Sequence, residues 1–187
     1  MLQITTKTNR PIIVGYKVSL EPISEQHLAQ VRCWRNSSYV RTQMVTGSVI
    51  SKAEHEAWFE KINKDPSQQH WMVNYKDTPI GVTNVRSLTG EPIGNEKSLE
   101  PGLYIGEPKF QGNIIAFSPS LALYDYCFNT LGINSLIAKV KYTNDAALNY
   151  NKKLGYSVVQ QGDMVSLALE PKDYEQSTVM LKRLLSR

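Results

Sequence analysis

Residues 103–156 read strand (LYIG), loop (EPKFQGNIIAF), long helix, strand (LIAKVK) and short helix, and that order leaves few folds open. A strand that returns through a helix to a second strand of the same sheet lies parallel to it, with the helix packed on one face. Leu121, Tyr124, Phe128 and Leu131 mark the long helix by their spacing, and Gly132 is a natural stop. Pro119 is tolerated only in a first turn, so regular helix is expected to begin near Ser118 rather than at Asn113.

Ahead of this unit the chain is rich in strand patterns, at 16–23, 70–75, 79–88 and 98–105. Pro101 and Gly102 interrupt the last of these, which predicts a bulge there. Two helices are expected between the first two strands. Ser24 is the candidate N-cap of one, which carries Leu28, Val31, Cys33 and Trp34. Ser51 and Glu54 form a capping-box pattern for the other, over 51–63, with Ala53, Ala57, Trp58 and Ile62 as its apolar face. After the unit, 156–161 and 164–169 form a hairpin about Gly162 and Asp163, and 173–185 reads as a closing helix. Together these predict one α/β (α+β) domain over 11–187, a mixed sheet with helices on its faces, after a tail or loose first strand at 1–10.

Composition removes several classes of function. A net charge of +4 comes without any Lys/Arg block, so no nucleic-acid partner is expected. No apolar stretch has the length of a signal peptide core at the start or of a membrane span later, which predicts a cytoplasmic protein with no membrane partner. Cys33 and Cys127 stand in no CxxC or Cys/His array and read as buried thiols, and no metal is expected.

The loop that feeds the long helix offers free backbone N–H groups to an anion, so a pyrophosphate would sit there without any lysine. Four motifs follow in order from that point. They are Gln111-Gly112-Asn113-Ile114-Ile115-Ala116, Asp125-Tyr126-Cys127-Phe128, Asn144 with Ala147, and Lys153-Leu154-Gly155-Tyr156. In this register and in these elements they resemble the GNAT acetyltransferase superfamily, over about residues 16–169. The first is similar to the family's acetyl-CoA loop, Arg/Gln-x-x-Gly-x-Gly/Ala. The resemblance implies a mostly antiparallel mixed sheet flanked by helices, acetyl-CoA as co-substrate, and transfer of its acetyl group to a primary amine.

On that resemblance Gln111, Gly112, Asn113, Ile114, Ile115 and Ala116 bind the cofactor's phosphates. Leu103, Tyr104 and Ile105 lend strand N–H and C=O groups to its pantetheine arm and polarise the thioester carbonyl. Asn144 either bonds the cofactor or caps the helix that follows it. Two departures stand out. Ile114 replaces the family's central loop glycine, and its Cβ is expected to crowd the phosphates. The family's thiolate-protonating tyrosine falls on Asn151, while Tyr150 is one residue off, about 100° round the helix.

The candidate catalytic side chains are Glu100, on the strand bordering the cleft, His55, on the acceptor-side helix, and Tyr150, with His70 also a possible base. No Ser/His/Asp order or Cys/His pair suggests a covalent intermediate, so direct attack in a ternary complex is expected.

Trp34-Arg35-Asn36, Val40-Arg41, Met44, Ile50 and Glu54-His55-x-x-Trp58-Phe59 resemble a signature shared by two GNAT subgroups. One acetylates protein N-termini, including those of ribosomal proteins. The other acetylates amino groups on nucleotide-activated sugars, as in pseudaminic-acid synthesis, and the pattern is closer to it. Trp34, Arg35, Arg41, Met44 and Trp71 are therefore the candidate acceptor-binding residues, the two arginines facing phosphates. Trp34, Trp58, Phe59 and Trp71 also read as core. The expected partner is a small-molecule amine, and the expected state a monomer or homodimer. A rival reading is a non-catalytic CoA-binding regulatory domain, favoured by Ile114 and Asn151.

Overall fold

The computed structural model describes residues 2–6, 10–44 and 46–186. Its strands are β1 (Gln3–Thr6), β2 (Pro11–Gly15), β3 (Val18–Pro22), β4 (Gln68–Tyr75), β5 (Thr78–Ser87), β6 (Ser98–Ile105), β7 (Ser135–Lys141), β8 (Ser157–Gln160) and β9 (Met164–Leu169). They form one sheet in the order β1-β2-β3-β4-β5-β6-β7-β9-β8, antiparallel at every junction except β6 with β7. The helices are α1 (Leu28–Asn36), α2 (Ser38–Arg41), α3 (Lys52–Lys64), α4 (Ser118–Asn129), α5 (Asp145–Leu154) and α6 (Pro171–Leu185). This is the mixed, mostly antiparallel α/β arrangement that the sequence predicts.

Consecutive strand residues point to opposite faces, and β4 shows what each face meets. Trp71 and Val73 join a large core with Leu121 and Tyr126 of α4 and Tyr174 of α6. Met72, between them, joins a smaller core with Val31 and Trp34 of α1 and Phe59 and Ile62 of α3. The helices α1 and α3 thus cover one face, and α4 and α6 the other.

Local chemistry explains the boundaries. Ser51 Oγ accepts from the Glu54 amide at 3.2 Å, and a Glu54 carboxylate oxygen accepts from the Ser51 amide at 2.7 Å, so the predicted capping box starts α3. Ser24 does cap, but it opens a 3-10 turn at Glu25–His27, closed by His27 Nδ1, and α1 starts only at Leu28. A 3-10 turn at Ile114–Phe117 precedes α4, whose regular helix begins at Ser118, as Pro119 requires.

Three expectations change. The run Pro11–Gly15 is an unforeseen strand, turned into β3 through Tyr16 and Lys17, both at positive φ (52° and 68°). The Tyr16 hydroxyl donates to Asp125 of α4, which anchors this strained turn. Pro101 and Gly102 make no bulge, since β5 and β6 pair in unbroken register from Gly81–Ile105 to Ser87–Leu99. Finally, Cys33 is exposed, because Val31 and Trp34 set the buried side of α1 and residue 33 turns away from it; Cys127 is buried as expected.

Candidate active site

The parallel strands β6 and β7 pair only at their first residues, Ser98 with Ser135 and Leu99 with Leu136. Beyond that point they separate, leaving residues 100–105 of β6 and the facing part of β7 without a strand between them. Pro101 is tolerated because β6 is an edge there. Unpaired N–H and C=O groups along such an edge can bind an extended ligand. The gap opens into a cleft of about 1100 Å³.

One half of the cleft is built by the loop before α4. Gln111 Nε2 donates to the Ile105 carbonyl at 3.0 Å, tying the loop to the end of β6. Gly112 sits at φ 70°, with nothing within 4 Å of where a Cβ would stand. Asn113 Oδ1 accepts from the Ile115 amide at 3.0 Å and caps the 3-10 turn. The amides of Gly112 and Ile114 have no partner among the described residues. Lys153, whose Nζ lies 5.9 Å from the Phe117 ring centre, lines the same half. A lysine therefore stands beside the loop in addition to its free amides.

Helix α5 forms the wall opposite. Asn144 Oδ1 accepts from the Ala147 amide at 3.0 Å, so it is the N-cap. Asn151 is buried and donates through Nδ2 to the Ala147 carbonyl at 2.9 Å. The Tyr150 ring stacks on Phe117 at 4.6 Å. Its hydroxyl donates to the Ala116 carbonyl at 3.0 Å and lies 2.8 Å from Ser120 Oγ. Burial raises its pKa well above the usual tyrosine value.

The other half is aromatic and polar. His55 stacks on Trp58 with centroids 4.9 Å apart, and Trp58 meets His70 edge-on at 5.3 Å. Burial, reinforced by the cations of Arg32 and Arg35, lowers the His55 pKa. Burial first, then the Arg10 cation, pulls His70 down to about 4. Both rings are neutral at pH 7. One oxygen of Glu100, Oε2, accepts from Arg86 Nε at 3.0 Å and Nη2 at 2.8 Å; Oε1 has no partner among the described residues.

The segment between α2 and α3 borders both halves. Arg35 Nη2 donates to the Thr46 carbonyl at 3.2 Å, Arg41 Nη1 to Gly47 at 3.1 Å, and Lys141 Nζ, from β7, to Met44 at 2.6 Å. Asn36 pairs with the Ile50 backbone in both directions at 2.8 Å.

A family model, the acetyltransferase (GNAT) domain, matches residues 17–157, a stretch that contains every residue lining this cleft except Met164. The chain belongs to the GNAT acetyltransferase family. An N-acetyltransferase 9-like protein of Nematostella vectensis is 22% identical over 165 residues, covering 81% of this chain and 80% of the relative. The Campylobacter jejuni N-acetyltransferase PseH, solved with acetyl coenzyme A, superposes with a TM-score of 0.62 at 22% identity, covering 82% of this chain and 99% of that one. The spermidine N-acetyltransferase of Vibrio cholerae, solved with CoA and spermine, gives a TM-score of 0.71 at 18% identity, covering 84% of this chain and 98% of that one.

As a GNAT enzyme the chain is an acetyl-CoA-dependent N-acetyltransferase. Its residues fit that co-substrate: a β6 edge without a partner, two free loop amides and a nearby lysine suit an amide-bearing arm followed by phosphates. Among the described residues no group of three or more His, Cys, Asp or Glu side chains is placed to hold a metal ion.

The cleft gathers most of the residues named from sequence: Arg35, Met44, His55, Glu100, Leu103, Tyr104, Ile105, Gln111, Gly112, Asn113, Ala116, Asn144, Tyr150 and Asn151 all line it. Five do not. Trp71 is fully buried in the α4-side core, its Nε1 donating to the Pro11 carbonyl at 2.9 Å. Trp34 is packed under Gly106, where any side chain would collide with its ring. Ile115 faces the core. Ile114 is 42% exposed and lies outside the cleft lining. Arg41 lies outside the lining too and holds the Gly47 carbonyl instead. Sequence reading missed Gln68, Asn84, Arg86, Ser120, Tyr124 and Lys141, which line the cleft. Alternation within β5 was the available signal for Asn84 and Arg86, which share a face with Val82.

Proposed function

We propose that the acceptor is the primary amine of a nucleotide-linked amino sugar, acetylated by direct attack in a ternary complex. The observation that carries this reading is the acceptor half itself. Trp58 and its histidine neighbours give a sugar or base an apolar face. Beside them Arg35 holds Thr46 through Nη2 while its buried Nη1 has no partner, which suits a phosphate oxygen. The resemblance of the Trp34-Arg35-Asn36 and Glu54-His55 motifs to the sugar-nucleotide subgroup supports the same reading.

Acetyl-CoA supplies the acetyl group as a thioester. The amine nitrogen bonds to the acetyl carbon, the carbon–sulfur bond breaks, and the proton lost from nitrogen is balanced by one gained at sulfur. The β6 edge donates to the thioester carbonyl and holds it in place. Glu100 Oε1, free of Arg86, accepts the amine proton. The neutral rings of His55 and His70 add no positive charge to oppose an incoming amine. A sugar amine beside electron-withdrawing hydroxyls is less basic than a lysine, so a modest base is enough.

The test is a screen of acceptors with acetyl-CoA, read by thiol release. Amino-sugar nucleotides should give the highest kcat/KM. An Ala- or Ser-starting peptide that outperforms every amino-sugar nucleotide would replace this reading with N-terminal acetylation.

A further inference from the structure

The acceptor half has a polar floor on the sheet face that α1 and α3 cover. Two cross-strand rows form it: Gln68, Arg86 and Glu100 in one, His70, Asn84 and Gly102 in the next. Most of these side chains are already paired. His70 Nε2 lies 2.9 Å from Gln68 Oε1, and Arg86 holds Glu100. Asn84 is different: its carboxamide lines the cleft and has no hydrogen-bond partner among the described residues.

A missing side chain gives that carboxamide its place. A Cβ on Gly102, the residue opposite Asn84 on β6, would stand 2.5 Å from Asn84 Oδ1 and 3.3 Å from Cγ. Any larger residue at 102 would push the amide out of the floor. On the other side Asn84 faces His70, against which Trp58 packs edge-on. The floor therefore sets a free planar donor–acceptor group close to an aromatic wall. A carboxamide donates through Nδ2 and accepts through Oδ1, which matches adjacent hydroxyls on a sugar ring and offers nothing to an alkyl chain.

We infer that Asn84 is a specificity-determining residue that reads ring hydroxyls of the acceptor, with Gly102 as the position that gives it room. This rests on the amino-sugar reading of the site. A site built to bond a hydroxyl discriminates against an acceptor that lacks it, because its polar group is then left unpaired.

The experiment measures kcat/KM for an amino-sugar nucleotide, for its monodeoxy analogues, and for spermidine as an amine without hydroxyls. It uses the wild type, Asn84→Ala and Gly102→Ala, with CoA-induced thermal shift as the check on folding. The ratio of sugar to spermidine activity should fall about tenfold in both variants, the size of one neutral hydrogen bond. One deoxy analogue should lose about tenfold on the wild type and nothing further on Asn84→Ala, the signature of a coupled pair. Equal losses on all acceptors, or deoxy penalties that persist unchanged in Asn84→Ala, overturn the role of Asn84 while leaving the amino-sugar reading intact. Wild-type enzyme that turns over spermidine but no amino sugar overturns both.

Discussion

The hydroxyl of Tyr150 spends its proton on the Ala116 carbonyl, 3.0 Å away, at the point where the loop of residues 106–117 enters α4. Ser120 Oγ, 2.8 Å from the same oxygen, ties the tyrosine to α4 as well. A donor engaged in this way, and with a pKa raised by burial, is a poor acid towards a departing thiolate. The hydroxyl instead ties α5 to the loop and to α4.

Tyr150→Phe should therefore change kcat by less than tenfold. It should also destabilise the fold by about 1 kcal/mol, the usual net value of one hydrogen bond. Steady-state kinetics and denaturant melts test the two halves separately. A hundredfold loss of kcat with the fold intact would show that this hydroxyl reaches the thiol.

If the free amides of the loop before α4 hold the phosphates of CoA, binding there should be blocked by charge rather than by shape. Gly112 has a positive φ that asparagine tolerates better than most residues, and nothing crowds a side chain there. Gly112→Asn should keep a CoA-induced rise in Tm, while Gly112→Asp should lose it through repulsion of the phosphates. Equal shifts in both variants would place the phosphates elsewhere.

The fold was legible because it is written in short-range signals. The capping box at Ser51, Pro119 in a first turn and the strand–helix–strand order each fix a local geometry that survives in the structure. The acceptor floor was not legible, because it depends on which strands are neighbours and in what register. Asn84 acquires meaning only once it lies opposite Gly102, a pairing set by the β5–β6 ladder rather than by anything near Asn84 in sequence. Trp71 misled for the opposite reason. In the sequence it reads both as an acceptor candidate and as core, and only the alternation along β4 decides: Trp71 joins the core while His70, its neighbour, lines the cleft.

His70 makes stability depend on pH in a defined direction. Its pKa falls from 6.5 to about 4 on folding, so between these values the unfolded chain binds more protons than the native one. Stability from this residue is present above pH 6.5 and is lost as pH drops towards 4, by at most about 3 kcal/mol. His70→Gln should flatten the stability profile in that window, measured by urea melts at intervals of pH. A variant whose slope matches the wild type would show that other groups carry the acid sensitivity.

Arg35 and Arg41 look interchangeable in the sequence, and the structure separates them. Both bond a carbonyl of the segment between α2 and α3 and both keep a buried nitrogen without a partner, Nη1 of Arg35 and Nε of Arg41, but only Arg35 lines the cleft. A diphosphate in the acceptor should therefore be sensed by Arg35 and not by Arg41. Arg35→Lys keeps the charge but loses the guanidinium fork, which is what allows one side chain to hold Thr46 and a phosphate at once. The expected result is that Arg35→Lys and Arg35→Ala raise KM about tenfold or more for an amino-sugar nucleotide, with much less effect on the same amino sugar without its nucleotide. Arg41→Ala should affect both acceptors alike, through the segment it holds. If the nucleotide-specific penalty follows Arg41, or neither arginine, the diphosphate does not lie beside Arg35 and the sugar-nucleotide reading loses its main support.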